Sequence, residues 1–274
     1  MLLTAEIVCE RGAVLLREAT LHDLPLIRDI FARGNDVPYD LARVAEEKCF
    51  GAGVAGAPRV RIAEEHGVAV TCGRTLRVIA VDREHRGRGI GSALLEDSSA
   101  TVIGAEAGNY FVAGVPAGSP MVNWLTNRGY EEKSRTSDLI VEQLERFSIP
   151  ADVVRWTGEA PILHWIEQQF GPIWRFEVAR ASAFVVKEGR RIIGFSAHEG
   201  NNRGLGTFGP TGIAREYRGR GFGTLLLHAS LADLYRMGYS RAIIPWTGAI
   251  DFYRKACGAR VALDLVSMVR TTPR

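Results

Sequence analysis

Apolar and polar residues follow two different periods along the chain, and these periods predict a mixture of strands and helices. In residues 160–170, Ile162, Trp165, Ile166 and Phe170 recur at helical spacing and predict an amphipathic helix. Residues 75–81 form a short apolar run, which is typical of a buried strand. Both kinds of segment occur in each half of the chain, so the sequence favours an α/β (α+β) layered fold.

The first half of the chain contains a series of such segments, which begins with a strand and a capped helix. The apolar periods and turn residues give these ranges: strand 14–17, a helix from about 20–23 onwards, strands 59–64 and 67–72 around a turn, strand 75–81, helix 92–103, strand 110–115, helix 121–128 and strand 138–141.

The second half repeats the same order of elements. Its predicted ranges are strand 153–156, helix 160–170, a hairpin of 184–187 and 191–197, strand 207–213, helix 224–237, strand 241–245, helix 249–257 and strand 261–269. A length of 274 residues also suits about two domains. We therefore expect an N-terminal domain over 1–147 and a C-terminal domain over 148–274.

One short motif occurs once in each half of the chain and indicates an internal repeat. Arg86-Gly87-Arg88-Gly89-Ile90-Gly91 is followed 132 residues later by Arg218-Gly219-Arg220-Gly221-Phe222-Gly223. The match continues on both sides at the same offset, because Val81 aligns with Ile213 and Leu94-Leu95 with Leu226-Leu227. Such self-similarity is the signature of a duplicated unit.

Each motif lies between an apolar strand and an amphipathic helix, which makes it a candidate anion site. Glycines let a ligand approach the main chain, and the N–H groups and dipole at the start of a helix favour negative charge. A dinucleotide G-x-G-x-x-G is excluded because Leu94 and Leu226 stand where its third glycine belongs, and no G-x-x-x-x-G-K-[ST] is present.

Composition excludes several other classes of protein. A formal net charge of +3 is too small to indicate a nucleic-acid binder, and no run of about 18 apolar residues predicts a membrane span. The cysteines are Cys9, Cys49, Cys72 and Cys257, with no C-x-x-C pair, so we expect neither a disulfide framework nor a metal site. The start of the chain lacks a basic, apolar leader, and we expect a cytoplasmic protein.

What both turns do match is the pattern [Q/R]-x-x-G-x-[G/A], and with it the chain resembles the GNAT superfamily of acyl-CoA-dependent N-acyltransferases, in a tandem of two domains. The resemblance implies acetyl-CoA as acyl donor, with its pyrophosphate on the loop and its pantetheine arm on the preceding strand. Carried over to this sequence, the cofactor-binding residues are Val81, Arg86, Gly87, Arg88, Gly89, Ile90, Gly91 and Ser92 in the first half, and Ile213, Ala214, Arg215, Arg218, Gly219, Arg220, Gly221, Phe222, Gly223 and Thr224 in the second. Arg83 and His85 are either further phosphate contacts or solvated surface.

The resemblance also implies a tyrosine that protonates the departing thiolate, in a pattern like F-Y-x-K-x-G. Tyr253 takes this role by position in the second half, in Phe252-Tyr253-Arg254-Lys255-Ala256-Cys257-Gly258. Counting back five residues from Gly129 places Trp124 there in the first half, and indole is not a useful acid. For the general base we expect Glu199 first and His198 second, although either can equally be an ordinary loop residue. Trp246 either floors the acceptor pocket or packs in the core.

These residues predict an N-acetyltransferase that acts on a primary amine by direct transfer in a ternary complex, with the C-terminal domain catalytic. The expected acceptor is a small molecule such as an amino sugar or a thiol-glycoside amine. Three alternatives remain open at this point: a protein or peptide acceptor, a non-catalytic acyl-CoA sensor or scaffold, and RNA binding through the arginine-glycine turns. We expect no nucleic-acid or membrane partner, and the sequence leaves the acceptor and oligomeric state open.

Overall fold

The computed structural model describes residues 4–9 and 12–271, and these divide into two compact units. Unit 1 contains the described residues up to Arg135 together with those from Leu265 onwards, and unit 2 is Thr136–Asp264. None of the helices in the described ranges is long and apolar enough to cross a membrane.

Unit 1 is built on an antiparallel sheet, whose strands β1 to β5 pair in chain order before β5 pairs in parallel with β6. Its elements are β1 (Thr4–Cys9), β2 (Gly12–Glu18), α1 (Leu24–Gly34), α2 (Ala45–Phe50), β3 (Arg59–Ala63), β4 (Gly67–Cys72), β5 (Thr75–Val81), α3 (Ile90–Ser98), β6 (Val102–Ile103), β7 (Val115–Pro116), α4 (Pro120–Thr126) and the beginning of β8 (Glu131–Glu142).

The middle of this sheet is buried on both faces. Strand β4 is buried at all six positions, so its alternating side chains are covered from both sides, and helices α1 and α3 both contact it. On one face Ala69 packs with Leu94 of α3 and with Leu16 of β2. This packing fixes the end of β5 beside the start of α3.

Unit 2 contains a four-stranded antiparallel sheet in the order β12, β11, β10, β9, and a separate antiparallel pair of β8 with β13. Its elements are β9 (Val153–Arg155), α5 (Ala160–Phe170), α6 (Pro172–Val178), β10 (Ser182–Glu188), β11 (Arg191–His198), β12 (Phe208–Ile213), α7 (Phe222–Arg236), β13 (Arg241–Thr247), α8 (Ile250–Cys257) and the beginning of β14 (Arg260–Val269).

Alternation along β10 shows how the core of unit 2 is filled. Phe184 and Val186 pack against Leu226 of α7, whereas Val185, one residue out of step, packs against Ile166 of α5. Successive residues of a strand point to opposite faces, so the two helices cover the two sides of the same sheet. The face that a β11 side chain occupies therefore follows from its place in this alternation.

The two compact units do not follow the expected division at residues 147 and 148. The second part of β8 pairs with β13 inside unit 2, as in Ile140 with Ile243. The second part of β14 lies in unit 1, where Met268 pairs with Ile103 and Val266 with Val115. The chain thus leaves unit 1 within β8 and returns to it within β14. Hydrophobic periodicity finds both strands but contains no signal for which sheet receives them.

Most other differences from the predicted elements lie at boundaries. Helix α3 ends at Ser98, four residues before the short strand β6, so the helix predicted over 92–103 was too long. The strand predicted over 110–115 was wrong apart from its last residue, because β7 begins only at Val115. The short helices α2 and α6 were missed, since a six- or seven-residue helix has too few turns to show a period.

The returning strand gives a prediction about stability. Replacing Val266 by Ala leaves a cavity in unit 1, where this valine is 1% exposed, and should lower the free energy of unfolding by about 2 kcal/mol. Amide exchange should accelerate in β6 and β7, the strands that pair with β14. The matched control is Val261→Ala on the same strand, which is 39% exposed and should cost about 0.5 kcal/mol or less. Two results would contradict the assignment of the end of β14 to unit 1. One is an equal loss of unfolding free energy in both variants, and the other is accelerated amide exchange in unit 2 alone.

Candidate functional site

The two arginine-glycine turns have the same backbone conformation in the two units. Each follows a single turn of 3₁₀ helix, Arg83–His85 or Arg215–Tyr217. Gly87 and Gly219 have φ of 78° and 77°, and Gly89 and Gly221 have φ of 89° and 87°. The backbone N–H groups of the two loops therefore have the same arrangement.

Glycine is required in these turns by conformation. A Cβ added to Gly219 or Gly221 would meet no atom within 4 Å, so crowding does not exclude a side chain. The positive φ does, because the left-handed region is costly for residues with a Cβ. Gly221 is the N-cap of α7, a helix of 15 residues, and the turn thus directs unpaired N–H groups and the positive end of a helix dipole toward solvent. This arrangement suits an anion such as a phosphate.

The first arginine of each motif holds its loop to the preceding strand. The Nε of Arg86 donates to the carbonyl of Val81 at 3.1 Å, and the Nε of Arg218 donates to that of Ile213 at 3.1 Å. In unit 1 Arg86 is also bonded to the carbonyl of Gly34 and ion-paired with Asp36 at 2.8 Å. The side chains of Arg86 and Arg218 therefore hold the loops in shape. That the backbone N–H groups of these loops bind an anion stays a prediction.

The other predicted loop residues have varied surroundings. Arg88 donates to the carbonyl of Glu84, and the guanidinium of Arg220 stacks on the ring of Tyr217 at 5.1 Å. Arg215 is exposed. Ile90 is buried in the core of unit 1, and the Ser92 hydroxyl accepts a hydrogen bond from Arg128 at 2.8 Å. Phe222, Gly223 and Thr224 form the half-buried first turn of α7, and Gly91 lies in the first turn of α3.

The strand before each loop has an edge that is open for hydrogen bonding. The N–H of Ala214 donates to the carbonyl of Ile193 on β11, and N–H directions alternate along a strand. The N–H of Ile213 therefore points away from β11. On that side β12 is bridged to β13 in parallel at Thr207 and Ile243, at the start of both strands. Beyond the bridge, an extended ligand has backbone donors and acceptors of β12 to pair with.

Tyr253 lies at this diverging pair of strands. Its ring meets that of Phe208, the first residue of β12, edge to face at 6.1 Å between centroids. Burial, with a further contribution from Cys257, raises the pKa of Tyr253 to about 12. The phenol consequently stays protonated at neutral pH and can donate a proton. The predicted acid thus lies beside the strand that leads into the loop.

The counterpart of Tyr253 in unit 1 is Leu125, and the expected alignment with Trp124 was one residue out. A Cβ on Gly91 would lie 3.8 Å from Trp124, and one on Gly223 would lie 3.5 Å from Phe252. Trp124 and Phe252 therefore occupy the same place against the last glycine of their loops. Leu125, which follows Trp124, is fully buried and carries no proton to give.

Glu199, the first choice for a general base, is fully occupied by its own loop. Its Oε1 accepts the N–H groups of Gly206 and Thr207 at 2.9 Å, and its Oε2 accepts from the N–H of Gly204 at 2.5 Å and the hydroxyl of Tyr239 at 2.8 Å. A carboxylate offers about four acceptor directions, and all four are used. Glu199 fixes the β11–β12 connection and has no direction left for an incoming amine.

His198, the second choice, is buried against α7 and bonded to it. It is fully buried, and its Nε2 lies 2.8 Å from Oδ2 of Asp233 on α7. Although burial alone would raise the pKa of Asp233, hydrogen bonds from His198 and Arg155 lower it to about 2. In the alternation of β11, His198 shares its face with Ser196, which also bonds to α7. The network is a buried structural contact, and sequence proximity to Glu199 could not reveal its direction.

Two further candidates differ in their surroundings. Trp246 is 41% exposed with φ of +50°, and its N–H donates to Asp138 at 2.8 Å, so the core alternative is excluded. Cys257 is buried, and burial raises the pKa of its thiol to about 11, which leaves the thiol protonated at neutral pH. This agrees with direct transfer without a covalent cysteine intermediate.

Unit 1 contains a cleft along the corresponding strand, β5. Its walls include Val78, Ile79 and Ala80 from β5, with Phe111 and Met121 among the residues that complete them. The lining is mostly apolar, and none of the predicted catalytic residues contributes to it. Unit 1 thus has a loop of the right shape and a cleft beside its strand, but a leucine in place of the acid.

Comparison with known proteins finds a family model that matches part of the chain. Residues 142–259 match the sequence model of the acetyltransferase (GNAT) family. No curated protein matches the chain. Among solved structures, it is similar to a GCN5-related N-acetyltransferase from Sphaerobacter thermophilus, at 18% identity and a TM-score of 0.64, with 96% of each chain covered.

Two other solved structures have the same fold. A tandem GNAT protein from the clavulanic acid biosynthesis pathway matches at 15% identity and a TM-score of 0.67, with 98% of each chain covered. A GCN5-related glucosamine N-acetyltransferase region of a fungal multi-domain GH3 β-N-acetylglucosaminidase matches at 15% identity and a TM-score of 0.70. The match covers 93% of this chain and 38% of the fungal one. Residues 142–259 thus match the GNAT acetyltransferase model, which covers less than half of the chain, and the described fold is similar to that of solved GNAT structures.

Proposed function

We propose that the protein is a tandem GNAT N-acetyltransferase, in which unit 2 moves an acetyl group from acetyl-CoA to a primary amine. The observation that carries the proposal is Tyr253, a protonated phenol beside the strand that leads into the 218–223 turn. In unit 2 the loop accounts for a bound pyrophosphate, the open edge of β12 for the pantetheine arm, and Tyr253 for the leaving thiolate.

The reaction needs three contributions at the thioester. The neutral amine attacks the carbonyl carbon and forms the C–N bond. In this proposal the N–H of Ile213, which points away from β11, donates to the resulting oxyanion. Collapse of the tetrahedral intermediate breaks the C–S bond. Tyr253 then gives its proton to the departing sulfur and regains one from solvent, while the nitrogen loses its extra proton to water.

Neither of the two candidate general bases is available to an incoming amine. Glu199 has all of its acceptor directions filled, and His198 is buried against α7. We therefore propose that the acceptor binds as the free amine, already deprotonated in solution. An alkylammonium has a pKa of about 10, so only a small fraction of such an acceptor is competent at neutral pH.

Unit 1 receives a different role. Its turn has the same backbone as that of unit 2, and its apolar cleft follows β5, but Leu125 cannot protonate a thiolate. We propose that unit 1 binds acyl-CoA without turning it over. Acetyl-CoA would be held by the 86–91 turn there, as by the 218–223 turn in unit 2.

The proposed acceptor is an amino sugar or a similar small amine. A glucosamine N-acetyltransferase region is among the structures with the same fold, which supports an amino sugar or a similar small amine as acceptor. A small-molecule partner also agrees with a net charge of +3, which is too small to indicate a nucleic-acid partner. The remaining alternatives are a peptide acceptor and an acyl-CoA sensor without an acceptor.

Removal of the phenol tests the proposed chemistry. Tyr253→Phe should reduce kcat for CoA release by about 10²- to 10⁴-fold, because the thiolate then leaves unprotonated. The affinity for acetyl-CoA, measured by calorimetry, should stay unchanged. The matched control is Tyr235→Phe, at an exposed tyrosine on α7, which should retain full turnover.

Acceptor screening with the native chain separates the alternatives. Amino sugars and small amines should support CoA release, with peptides inactive. Activity on peptides alone would replace the small-molecule proposal by the protein-acceptor one. If acetyl-CoA binds and no acceptor supports turnover, the enzyme proposal is wrong and the acyl-CoA sensor is supported instead.

The pH dependence of kcat/KM tests the absence of a protein base. Its rising limb should follow the acceptor, moving from about pH 8 for an α-amino group to about pH 10 for a lysine-type amine. A pKa of about 12 keeps Tyr253 protonated, so no falling limb from this group should appear below about pH 10. A rising limb at one fixed pH for both acceptors would instead reveal a base in the protein.

The stoichiometry of acetyl-CoA tests the two-site arrangement. Calorimetry should give about two equivalents per chain, and either Gly91→Glu or Gly223→Glu should reduce this number to one, since each places a carboxylate in the first turn of the helix that faces the pyrophosphate. Both positions have ordinary negative φ, so the substitutions avoid backbone strain. Only Gly223→Glu should abolish turnover. One equivalent in the native chain, lost with Gly223→Glu, would show that unit 1 has no CoA site.

A further inference from the structure

We infer that unit 1 contains a binding site for a divalent transition-metal ion, Zn²⁺ in the first instance, formed by His66, Asp82 and His85. One ligand atom from each residue lies within 4.8 Å of the other two. The site is at the entrance of the 86–91 turn, and its existence does not depend on acyl transfer.

The backbone holds the three residues in fixed register. His66 lies in the turn between β3 and β4, Asp82 follows β5, and His85 ends the short 3₁₀ helix. The N–H of Asp82 donates to the carbonyl of His66, and the N–H of His85 donates to the carbonyl of Asp82, both at 2.9 Å. The donors therefore come from two segments that the sheet brings together in advance.

The two imidazoles lack polar partners where a ligand would bind. They stack with their centroids 3.4 Å apart and an interplanar angle of 12°. The Nδ1 atoms of both His66 and His85 are buried, and within the described residues neither has a hydrogen-bond partner. A buried polar atom left unsatisfied costs about 1–3 kcal/mol, and a metal ion would satisfy both atoms at once.

Asp82 supplies the carboxylate and is held ready for it. Its Oδ2 accepts from Nε of Arg33 at 2.7 Å, and its Oδ1 accepts from the N–H of Glu84 at 3.2 Å. About two of its four acceptor directions thus remain for a metal. Oδ2 is already 3.7 Å from Nδ1 of His85, close to the spacing of about 3.3 Å between ligands that are both 2.0–2.1 Å from a tetrahedral zinc.

Unit 2 has a tyrosine where unit 1 has His85. Tyr217 ends the equivalent 3₁₀ helix, and its hydroxyl donates to Glu188 at the end of the equivalent hairpin strand at 2.5 Å. A direct hydrogen bond therefore joins hairpin and 3₁₀ helix in unit 2. In unit 1 His85 takes the place of Tyr217, and within the described residues its Nδ1 has no hydrogen-bond partner. His85 thus has a ring nitrogen free to bind a metal, whereas the hydroxyl of Tyr217 is already hydrogen-bonded to Glu188.

The donor set indicates the class of ion. Two neutral imidazoles and one carboxylate suit Zn²⁺ and its neighbours Co²⁺, Ni²⁺ and Cu²⁺, and do not suit Mg²⁺ or Ca²⁺, which prefer oxygen. The parallel stack has to open for both ring nitrogens to aim at one ion, because their lone pairs lie in the ring planes. Rotation of the two half-buried rings about their side-chain bonds supplies this movement, and water completes the coordination.

Zinc titration of the full chain after treatment with a chelator tests the site. Calorimetry should show one equivalent of Zn²⁺, and His85→Tyr, which introduces the residue found in unit 2, should weaken binding by about 100-fold or more, since even loss of an outer-shell partner costs 10- to 100-fold. His66→Gln should have the same effect. His164→Gln, at an exposed histidine on α5, is the matched control and should bind zinc as the native chain does. Saturating zinc should also raise the Tm of the native chain and leave that of His85→Tyr unchanged.

Several outcomes would overturn the inference. These are undiminished affinity in His85→Tyr, no stoichiometric binding in the native chain, or a Co²⁺ complex with the intense near-ultraviolet absorption of thiolate ligands. Circular dichroism and the metal-free Tm of each variant show that its fold is retained. His66→Gln provides the second result should His85→Tyr fail to fold.

Discussion

The turn from strand to helix is the constraint on which both candidate sites depend. Two left-handed glycines reverse the chain so that the first N–H groups of a helix converge on one point, and an arginine ties the turn to the last carbonyl of the strand. The packing of α3 on β4, and of α7 on β10, then fixes this point relative to the sheet. Because the backbone alone forms the cradle, two units with different surroundings retain the same geometry.

The residues beside that cradle are the basis for the different roles that we propose for the two units. Each unit places an aromatic ring, Trp124 or Phe252, against the last glycine of its turn. The next residue points inward, and there unit 2 has a phenol where unit 1 has an aliphatic side chain. Neither residue disturbs the core, so packing does not distinguish them. In the proposed reaction the two units differ because Tyr253 can give a proton to the leaving thiolate and Leu125 cannot.

Sequence patterns predicted the two turns and most strands, because each depends on neighbouring residues, whereas the role of Tyr253 as proton donor stays a prediction from the family resemblance. They were wrong where the answer depends on contacts distant in the chain. Glu199 and His198 are adjacent, yet one is consumed by four loop contacts and the other by a helix behind the sheet. The sequence gives no signal for the His66–Asp82–His85 cluster, because strands β4 and β5 separate His66 from the other two residues. Only the hairpin brings His66 back to the end of β5.

The crossing of β8 and β14 between the units has a consequence for how the molecule is made. Leu265–Val269 leaves the ribosome after all of unit 2, so the sheet of unit 1 lacks one strand throughout the synthesis of the second half. During that interval β6 has an uncovered edge, which is a surface that other strands can join. The first unit to be translated is therefore the last to be completed, and neither unit can be separated from the other by cutting the chain once.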